Sequence, residues 1–513
     1  MRADSEPCTS AGECLLTTLP AELIASIFSY LAPDDLSHMA ETCRVLYRHA
    51  TEDRLWRTHV QANVPGQKVT SAYPFASFRE LYSAHNPHWF VAKYKLWFSD
   101  TGLPGRIVLT RYDQRRGCIE GYQLLANNTN SSFHTWHAHG DTIISGFSPK
   151  VKLHLDSPAL HLPAHPTQTE DVLVFPVHQE ATDAANGDAS GASSGKPHGQ
   201  DGQAQRENDF QSEILMHPSA PNRLQSSFVY ARCLSPDDIA ERSGRRFPYS
   251  HVWPPPAIPS PRRVLGAGLE RPTSLRDQDR AQSRREVYDR AFRLHKWLQM
   301  HDFEEYIPSP NILTGDFQSQ LDLAIRRTAQ LPRRITLGEE VSTFATLDPA
   351  QYTPTPTKPF RGIWVGDYGA HGCEFLWLHQ PDDDPADAFN PERGVGESDA
   401  AYAARKRDAA VYRGRLEAVK LTGDANVPRG EYSFVVDDLG EGGLVRVETE
   451  APFEGARVVK SRGHIANNGF SNDTYVDAEL FLVSPDVLAH NWLALGHISY
   501  FHRVDIDSLI VPN

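Results

Sequence analysis

The sequence has no closely spaced cysteine pair. Its six cysteines, Cys8, Cys14, Cys43, Cys118, Cys233 and Cys373, are scattered through 513 residues without a CxxC spacing. That excludes a disulfide framework or a zinc finger, both of which need tighter clustering, and free thiols in a reducing compartment are expected. No run approaches the roughly 18 apolar residues of a membrane helix. Met1 to Leu16 carries acids and no apolar stretch of signal-peptide length. A cytoplasmic and/or nuclear protein without a membrane partner is expected. Basic excess is missing too: 51 Lys and Arg stand against 65 Asp and Glu, a formal charge of −14. Such a balance argues against nonspecific nucleic-acid binding, which needs a basic surface to displace counterions.

Catalytic signatures are equally scarce. There is no GxSxG elbow, no P-loop and no HExxH. Leu265-Gly266-Ala267-Gly268 lacks the third glycine and the preceding strand of a dinucleotide site. His134, His137 and His139 have a spacing able to supply three zinc ligands, but FHTWHAHGD reads as a strand end and turn, where exposed histidines are ordinary. His371 and Cys373 flank Gly372, which points to backbone fit more than to ligation. No catalytic residue, metal or cofactor is assigned.

What is present begins with helical periodicity. Leu19, Leu23, Ile27 and Leu31 recur every four residues, with Ile24 and Phe28 beside them. Pro20 suits a first turn, Pro33 forces a stop, and Asp34 suits the N-cap of a second helix carrying Leu36, Met39, Cys43, Leu46 and Tyr47. A third short helix holds Leu55 and Trp56. Three short helices make a core too small to be stable without a partner or a neighbouring domain.

From Trp89 onward the pattern alternates. Val151, Leu153 and Leu155 share one parity; so do Tyr432, Phe434 and Val436, and Ile498, Tyr500, His502 and Val504. Period two marks half-buried strands. Further strands are expected at 107–112, 172–175, 228–231, 362–365, 374–378, 416–421, 444–447 and 479–483. Many short strands with Gly and Pro turns suggest an antiparallel barrel or sandwich. His178 to Asp209 is too poor in large apolar residues to offset its ordering entropy and is expected to be disordered. Val287, Ala291, Leu294 and Leu298 step by helical intervals and predict a helix with Arg284, Arg285, Arg290, Arg293 and Lys296 on a solvated face. Trp253 to Pro256 reads as a stiff polyproline II connector.

The expected class is therefore α+β: an N-terminal three-helix module, then a mainly antiparallel β-barrel-like domain with a helical insert and disordered loops. The expected divisions are a disordered terminus at 1–14, the helical module at 15–62 and a helical linker at 63–88. Barrel segments follow at 89–176, 335–380 and 412–513. Between them lie disordered segments at 177–212 and 381–411, a strand and connector at 213–262, and the helical insert at 263–334. Two turn-rich motifs stand out in the last segment. Thr422, Asp424 and Asn426 lie in LTGDANVPRG, and Arg462 and His464 in SRGHIA, read as a loop or bulge. Both sets are turn chemistry, and polar groups on such turns, with His371, are also candidates to hydrogen-bond a peptide.

The run LTTLPAELIASIFSYLAPDDLSHMAETCRVLYRHATEDRLW resembles an F-box. Leu19-Pro20, Leu23, Ile27, Leu31, Leu36, Cys43-Arg44 and Leu55-Trp56 follow that family's pattern in order. The resemblance implies docking on Skp1, and through it a cullin, by Leu19, Pro20, Leu23, Ile27 and Leu31. KPFRGIWVGDYGAHGCEF, VKLTGDANVPRGEYSF and NWLALGHISYFHRVDI resemble the substrate domain of the family of F-box only protein thirty-one. With KLWFSD, GCIEGY and KVKLHL they resemble still more closely fungal F-box proteins sharing that domain. This implies a non-catalytic receptor that holds a protein substrate, in the relative by its C-terminal peptide, for ubiquitin-dependent degradation. Two alternatives remain at this level: a Skp1-binding scaffold outside any ligase, and a barrel for a small ligand.

Overall fold

The computed structural model describes residues 15–99, 104–130, 132–137, 142–163, 210–216, 223–232, 280–300, 335–382 and 393–512. The expected disordered segment at 178–209, the strand at 172–175, Trp253 to Pro256, the glycines near 266, and His139 lie outside these residues.

The chain opens with α1 (Ala21–Phe28), α2 (Pro33–Thr42), α3 (Arg44–Ala50) and α4 (Asp53–Ala62). The second expected helix is thus two. Cys43 is fully extended, with φ −158° and ψ 165°, and breaks the run. Pro33 opens α2 at its first position after an Ala32 cap, so Asp34 lies inside the first turn and is not the cap. Trp56 is buried and its Nε1 donates to the Ala50 carbonyl at 2.7 Å, fixing α4 against α3. Then come α5 (Phe78–His85) and α6 (Trp89–Tyr94), so the alternating pattern begins after Tyr94 and not at Trp89.

Ten strands follow: β1 (Leu96–Ser99), β2 (Ile107–Asp113), β3 (Cys118–Asn128), β4 (Phe133–Trp136), β5 (Thr142–Ser145), β6 (Pro149–Pro163), β7 (Glu213–Met216), β8 (Arg223–Arg232), β9 (Val287–Met300) and β10 (Ile335–Ala345). After the short helix α7 (Pro349–Tyr352) come β11 (Gly362–Asp367) and β12 (Cys373–His379), then α8 (Asp399–Val411). The rest is β13 (Leu416–Lys420), β14 (Tyr432–Val436), β15 (Leu444–Val447), β16 (Arg457–Asn467), β17 (Ser471–Ser484), β18 (Val487–Trp492), β19 (His497–Arg503) and α9 (Ile506–Ile510).

These strands make two sheets where one barrel-like domain was expected. Eight strands form a sheet in the order β6-β3-β2-β1-β10-β9-β8-β7. The other sheet runs β11-β12-β13-β14-β16-β17-β18-β19 and closes when β19 pairs back onto β11, setting Trp364 opposite Arg503 and Val365 opposite His502. Closure removes both edges of this eight-stranded antiparallel barrel. The β4–β5 hairpin joins it through a parallel pairing of β5 with β19. Of the described residues between 89 and 163, strands β1, β2, β3 and β6 therefore belong to the first sheet, and only β4 and β5 to the other.

The predicted helix at 287–298 is strand β9, held between β8 and β10. Its helical spacing is coincidental. Phe292 and Leu294, two apart, face the core, and Phe292 stacks on Phe344 at 5.1 Å. Arg293 and Lys296 are buried, not solvated. Pairing on both edges outweighs local pattern in a central strand. Likewise 399–411, expected to be disordered, is helix α8, capped where Ser398 accepts from the Ala401 amide at 3.2 Å.

Apolar clusters tie the layers together. One unites Ile24, Phe28, Leu36, Leu46, Leu55 and Trp56 of the N-terminal helices with Trp97, Phe228, Phe292 and Phe344 of the first sheet. A second joins the opposite face of that sheet, through Leu96 and Phe98, to Ile363, Val365 and Trp377 on the outside of the barrel. A third fills one end of the barrel interior with Trp364, Leu376, Leu378, Leu416, Phe434, Leu480 and Phe501. The molecule is α+β, with N-terminal helices followed by mainly antiparallel sheet.

Candidate functional site

Two surfaces carry unusual chemistry. The first is on α1. The apolar residues there divide into two faces. Ile24, Ala25 and Phe28 are buried in the shared core. Leu23 and Ile27 point away, 52% and 42% exposed, beside exposed Leu19 and Pro20. Leu31 is half-buried and packs on the core. A helix that only filled its own core would show one apolar stripe, so this second stripe awaits another surface.

The second surface is the polar end of the barrel. Strand alternation that turns Leu376, Leu378, Leu416 and Ala418 inward also turns Glu374 and Lys420 inward. Lys420 is 2% exposed. Its Nζ lies 2.7 Å from Glu374 and 2.9 Å from Asp424, and 4.3 Å from the centre of the Tyr368 ring. Burial pushes the Glu374 carboxyl up to about 8, so at neutral pH it keeps its proton. Burial also acts to raise Asp424, but Lys420 and the hydrogen bonds from Glu374 and the Val427 amide outweigh it and hold that carboxyl below its usual range. His490 is fully buried, stacks on Phe434 at 4.6 Å and meets the Ser461 hydroxyl at 3.0 Å through Nε2. Burial pushes it down to about 3, which makes it a neutral imidazole. Gly463 leaves room for the neighbouring Trp492 ring, because a Cβ there would lie 2.3 Å from it.

Thr422, Asp424, Asn426, His464 and His371 fall on the same end of the barrel, in different states, while Arg462 lies mid-strand in β16 opposite Val435. Asp424 accepts from the backbone amides of Asn426 at 2.5 Å and Val427 at 2.8 Å, which shapes the 421–430 loop. Thr422 Oγ1 accepts from the Phe375 amide at 2.8 Å. Asn426 Nδ2 donates to the Ala466 carbonyl at 3.0 Å, and the amides of Gly469 and Phe470 donate to the Ala425 carbonyl. The two motifs are therefore zipped to each other. SRGHIA is mostly paired strand within β16, from Ser461 to Ile465, and its last residue, Ala466, falls at a register shift. His464 is buried on the outer face, stacked on Tyr475 at 4.4 Å, with Nδ1 at the Tyr432 carbonyl and Nε2 near Asp473. Burial lowers its pKa against the pull of those two acceptors. Arg462 also faces outward, paired with Asp437 at 2.9 Å. His371 is exposed in the turn between β11 and β12, where Gly372 has a φ of +84°. Lys420, Glu374, Tyr368 and His490 were missed. The available signal was a charge on the inward parity of an otherwise apolar strand.

Among the described residues no group of three or more His, Cys, Asp or Glu is placed to hold a metal ion. His134 and His137 are exposed.

Residues 16–62 match the F-box-like family, and residues 344–508 match the family described as Cyclin D1 binding domain. The first match supports an F-box protein, a class whose defining domain is typically a non-catalytic adaptor. Among curated proteins, the chain is similar to Protein EXECUTER 2, chloroplastic, of Oryza sativa subsp. japonica, 30% identical over 158 residues, which are 30% of this chain and 22% of that protein. It is also similar to Protein EXECUTER 2, chloroplastic, of Arabidopsis thaliana, 28% identical over 145 residues, 28% of this chain and 20% of that protein. The chain spans about a fifth of the length of these relatives.

Proposed function

We propose that this protein is the substrate receptor of a Skp1–cullin–F-box ubiquitin ligase, working in the cytoplasm and/or nucleus. The observation that carries this reading is the second apolar stripe of α1, exposed on a domain that matches the F-box-like family. Leu19, Pro20, Leu23, Ile27 and Leu31 would dock on Skp1, and through it a cullin. The barrel would hold a protein substrate at its polar end, with Asp424, Asn426, His464, His371, Thr422 and Arg462 around it. The protein would do no covalent chemistry; holding the substrate near charged ubiquitin raises its effective concentration there. The family name of residues 344–508 makes a cyclin one candidate substrate, and the likeness to F-box only protein thirty-one and its fungal relatives makes capture of a C-terminal peptide a candidate mode.

The test is Skp1 co-purification. Changing Leu19, Pro20 and Leu23 to Asp, Ala and Asp should abolish Skp1 recovery while the melting temperature holds, since these side chains are exposed. Full recovery from the folded variant would sink the reading. A scaffold outside a ligase also binds Skp1 but leaves the half-life of every bound protein unchanged when the gene is deleted. A second reading, a barrel for a small ligand, is favoured by one observation: Glu374, Asp424 and His490 are buried titratable groups with displaced pKa values at one end of the barrel. It predicts a melting shift with a small polar molecule and none with peptides.

A further inference from the structure

Among the described residues, only one asparagine is followed by glycine: Asn468, in the turn between β16 and β17. The turn is tight, with Asn467 opposite Ser471. Gly469 has a φ of +76°, a backbone conformation that other residues resist. The glycine that this turn needs also changes the chemistry of its neighbour. With no Cβ to crowd it, a glycine nitrogen closes on the carboxamide of a preceding asparagine more readily than the nitrogen of any other residue. Asn468 is exposed, and its side chain has no hydrogen-bond partner among the described residues. Its carboxamide is therefore open to attack.

The nucleophile is held back. Ring closure needs the Gly469 nitrogen stripped of its proton, and that N–H donates to the Ala425 carbonyl at 2.9 Å. The Phe470 amide donates to the same oxygen at 3.2 Å, and Asn426 Nδ2 ties the loop to the Ala466 carbonyl at 3.0 Å. The 421–430 loop thus engages the one atom that would react. We propose that Asn468 is a deamidation site, and that the 421–430 loop sets its rate by how often it lets go of the Gly469 amide. Local opening of this kind precedes attack just as it precedes hydrogen exchange.

The reaction needs water as its one co-reactant. The Gly469 amide proton passes to hydroxide, and the nitrogen attacks Asn468 Cγ. The Cγ–Nδ2 bond breaks, and Nδ2 takes up a proton and leaves as ammonia, which closes a succinimide ring. Water then adds to one of the two ring carbonyls and breaks its bond to the ring nitrogen. Opening at the main-chain carbonyl gives isoaspartate, whose main chain runs through the former side chain and is one carbon longer. Opening at the other carbonyl gives aspartate. Either product adds a carboxylate to a hairpin that already carries Asp473. Isoaspartate also moves the Gly469 and Phe470 amides away from the Ala425 carbonyl, so a loop opened in this way does not close as before. The polar end of the barrel would thereby age irreversibly, whatever the barrel binds.

The full chain, its Asn426→Ala variant and a free peptide of residues 464–473 are kept at mildly alkaline pH. Asn468 is followed by peptide mass and by labelling with an isoaspartate carboxyl methyltransferase. The peptide should deamidate fastest and the full chain slowest. Asn426→Ala should deamidate about fivefold faster than the parent, which is one hydrogen bond of about 1 kcal/mol converted at about 1.4 kcal/mol per tenfold. Equal rates in the full chain and the peptide would overturn the proposal without recourse to any variant. A folded Asn426→Ala chain that deamidates no faster than the parent would overturn it too.

Discussion

Lys420 stands between the carboxyl groups of Glu374 and Asp424 with almost no water beside it. Removing it leaves Asp424 charged and buried without its cation. Lys420→Met should therefore cost about 3–5 kcal/mol in urea unfolding, far more than an exposed lysine would. Glu374 makes the opposite contribution. Its folded pKa, about 8, lies above its ordinary value of 4.5. Between those two values the folded chain holds a proton that the unfolded chain has released. This contribution to stability therefore falls as pH rises from about 4.5 to about 8. Asp424, held low, contributes stability that is present above its ordinary pKa and lost as pH falls towards its folded value. Glu374→Gln should keep the melting temperature near pH 5 and flatten its decline towards pH 8. A decline as steep as the parent's would refute the assignment of that proton. The sequence named Asp424 because a Gly-Asp-x-Asn turn is recognisable locally. It concealed Lys420 and Glu374, because their meeting depends on β12 and β13 lying side by side, which no local pattern reports.

Elements show the same division. Helix α1 was readable from spacing, but its two apolar faces were merged into one, since Leu23 and Ile24 are neighbours in the chain and turn different ways only on a placed helix. Strand β9 was misread because a four-three-four spacing also fits a strand whose apolar residues fall on both parities. Strand β14 was legible because one parity, Tyr432, Phe434 and Val436, is apolar throughout. The 421–430 loop and the β16–β17 hairpin illustrate what tertiary contact adds. Asn426→Ala removes the bond to the Ala466 carbonyl, at a cost of about 1 kcal/mol. The melting temperature should drop slightly, while amide hydrogen exchange at Gly469 and Phe470 should quicken markedly, because their partner carbonyl sits in the loop set free. Unchanged exchange at those two amides would show that the zipper contributes nothing.

Across the whole molecule, the F-box-like domain is no detachable cap. Phe28, Leu36 and Trp56 share one cluster with Trp97, Phe228 and Phe292 of the first sheet, and that sheet's other face rests on the barrel. A fragment of residues 15–62 would expose apolar area that the intact chain buries, each such side chain being worth about 1.5–3 kcal/mol. Circular dichroism should find the fragment melting well below the same helices in the full chain, and binding of Skp1 should restore part of the loss. Equal melting would mean that the shared cluster is not cooperative. This continuity was only partly foreseeable. The sequence showed a module too small to stand alone, and did not show which surface relieves it.

Closure of the barrel by β11 and β19 has a consequence for how the chain is born. The two strands that meet are the first and the last of the barrel to leave the ribosome. Until β19 emerges, seven strands wait with an open seam and with Trp364, Leu376 and Phe434 uncovered. Pairing across so long a loop is slow and leaves sticky intermediates. The nascent protein should therefore lean on chaperones late in its synthesis, with its F-box-like helices already outside and the polar end of its barrel still unmade.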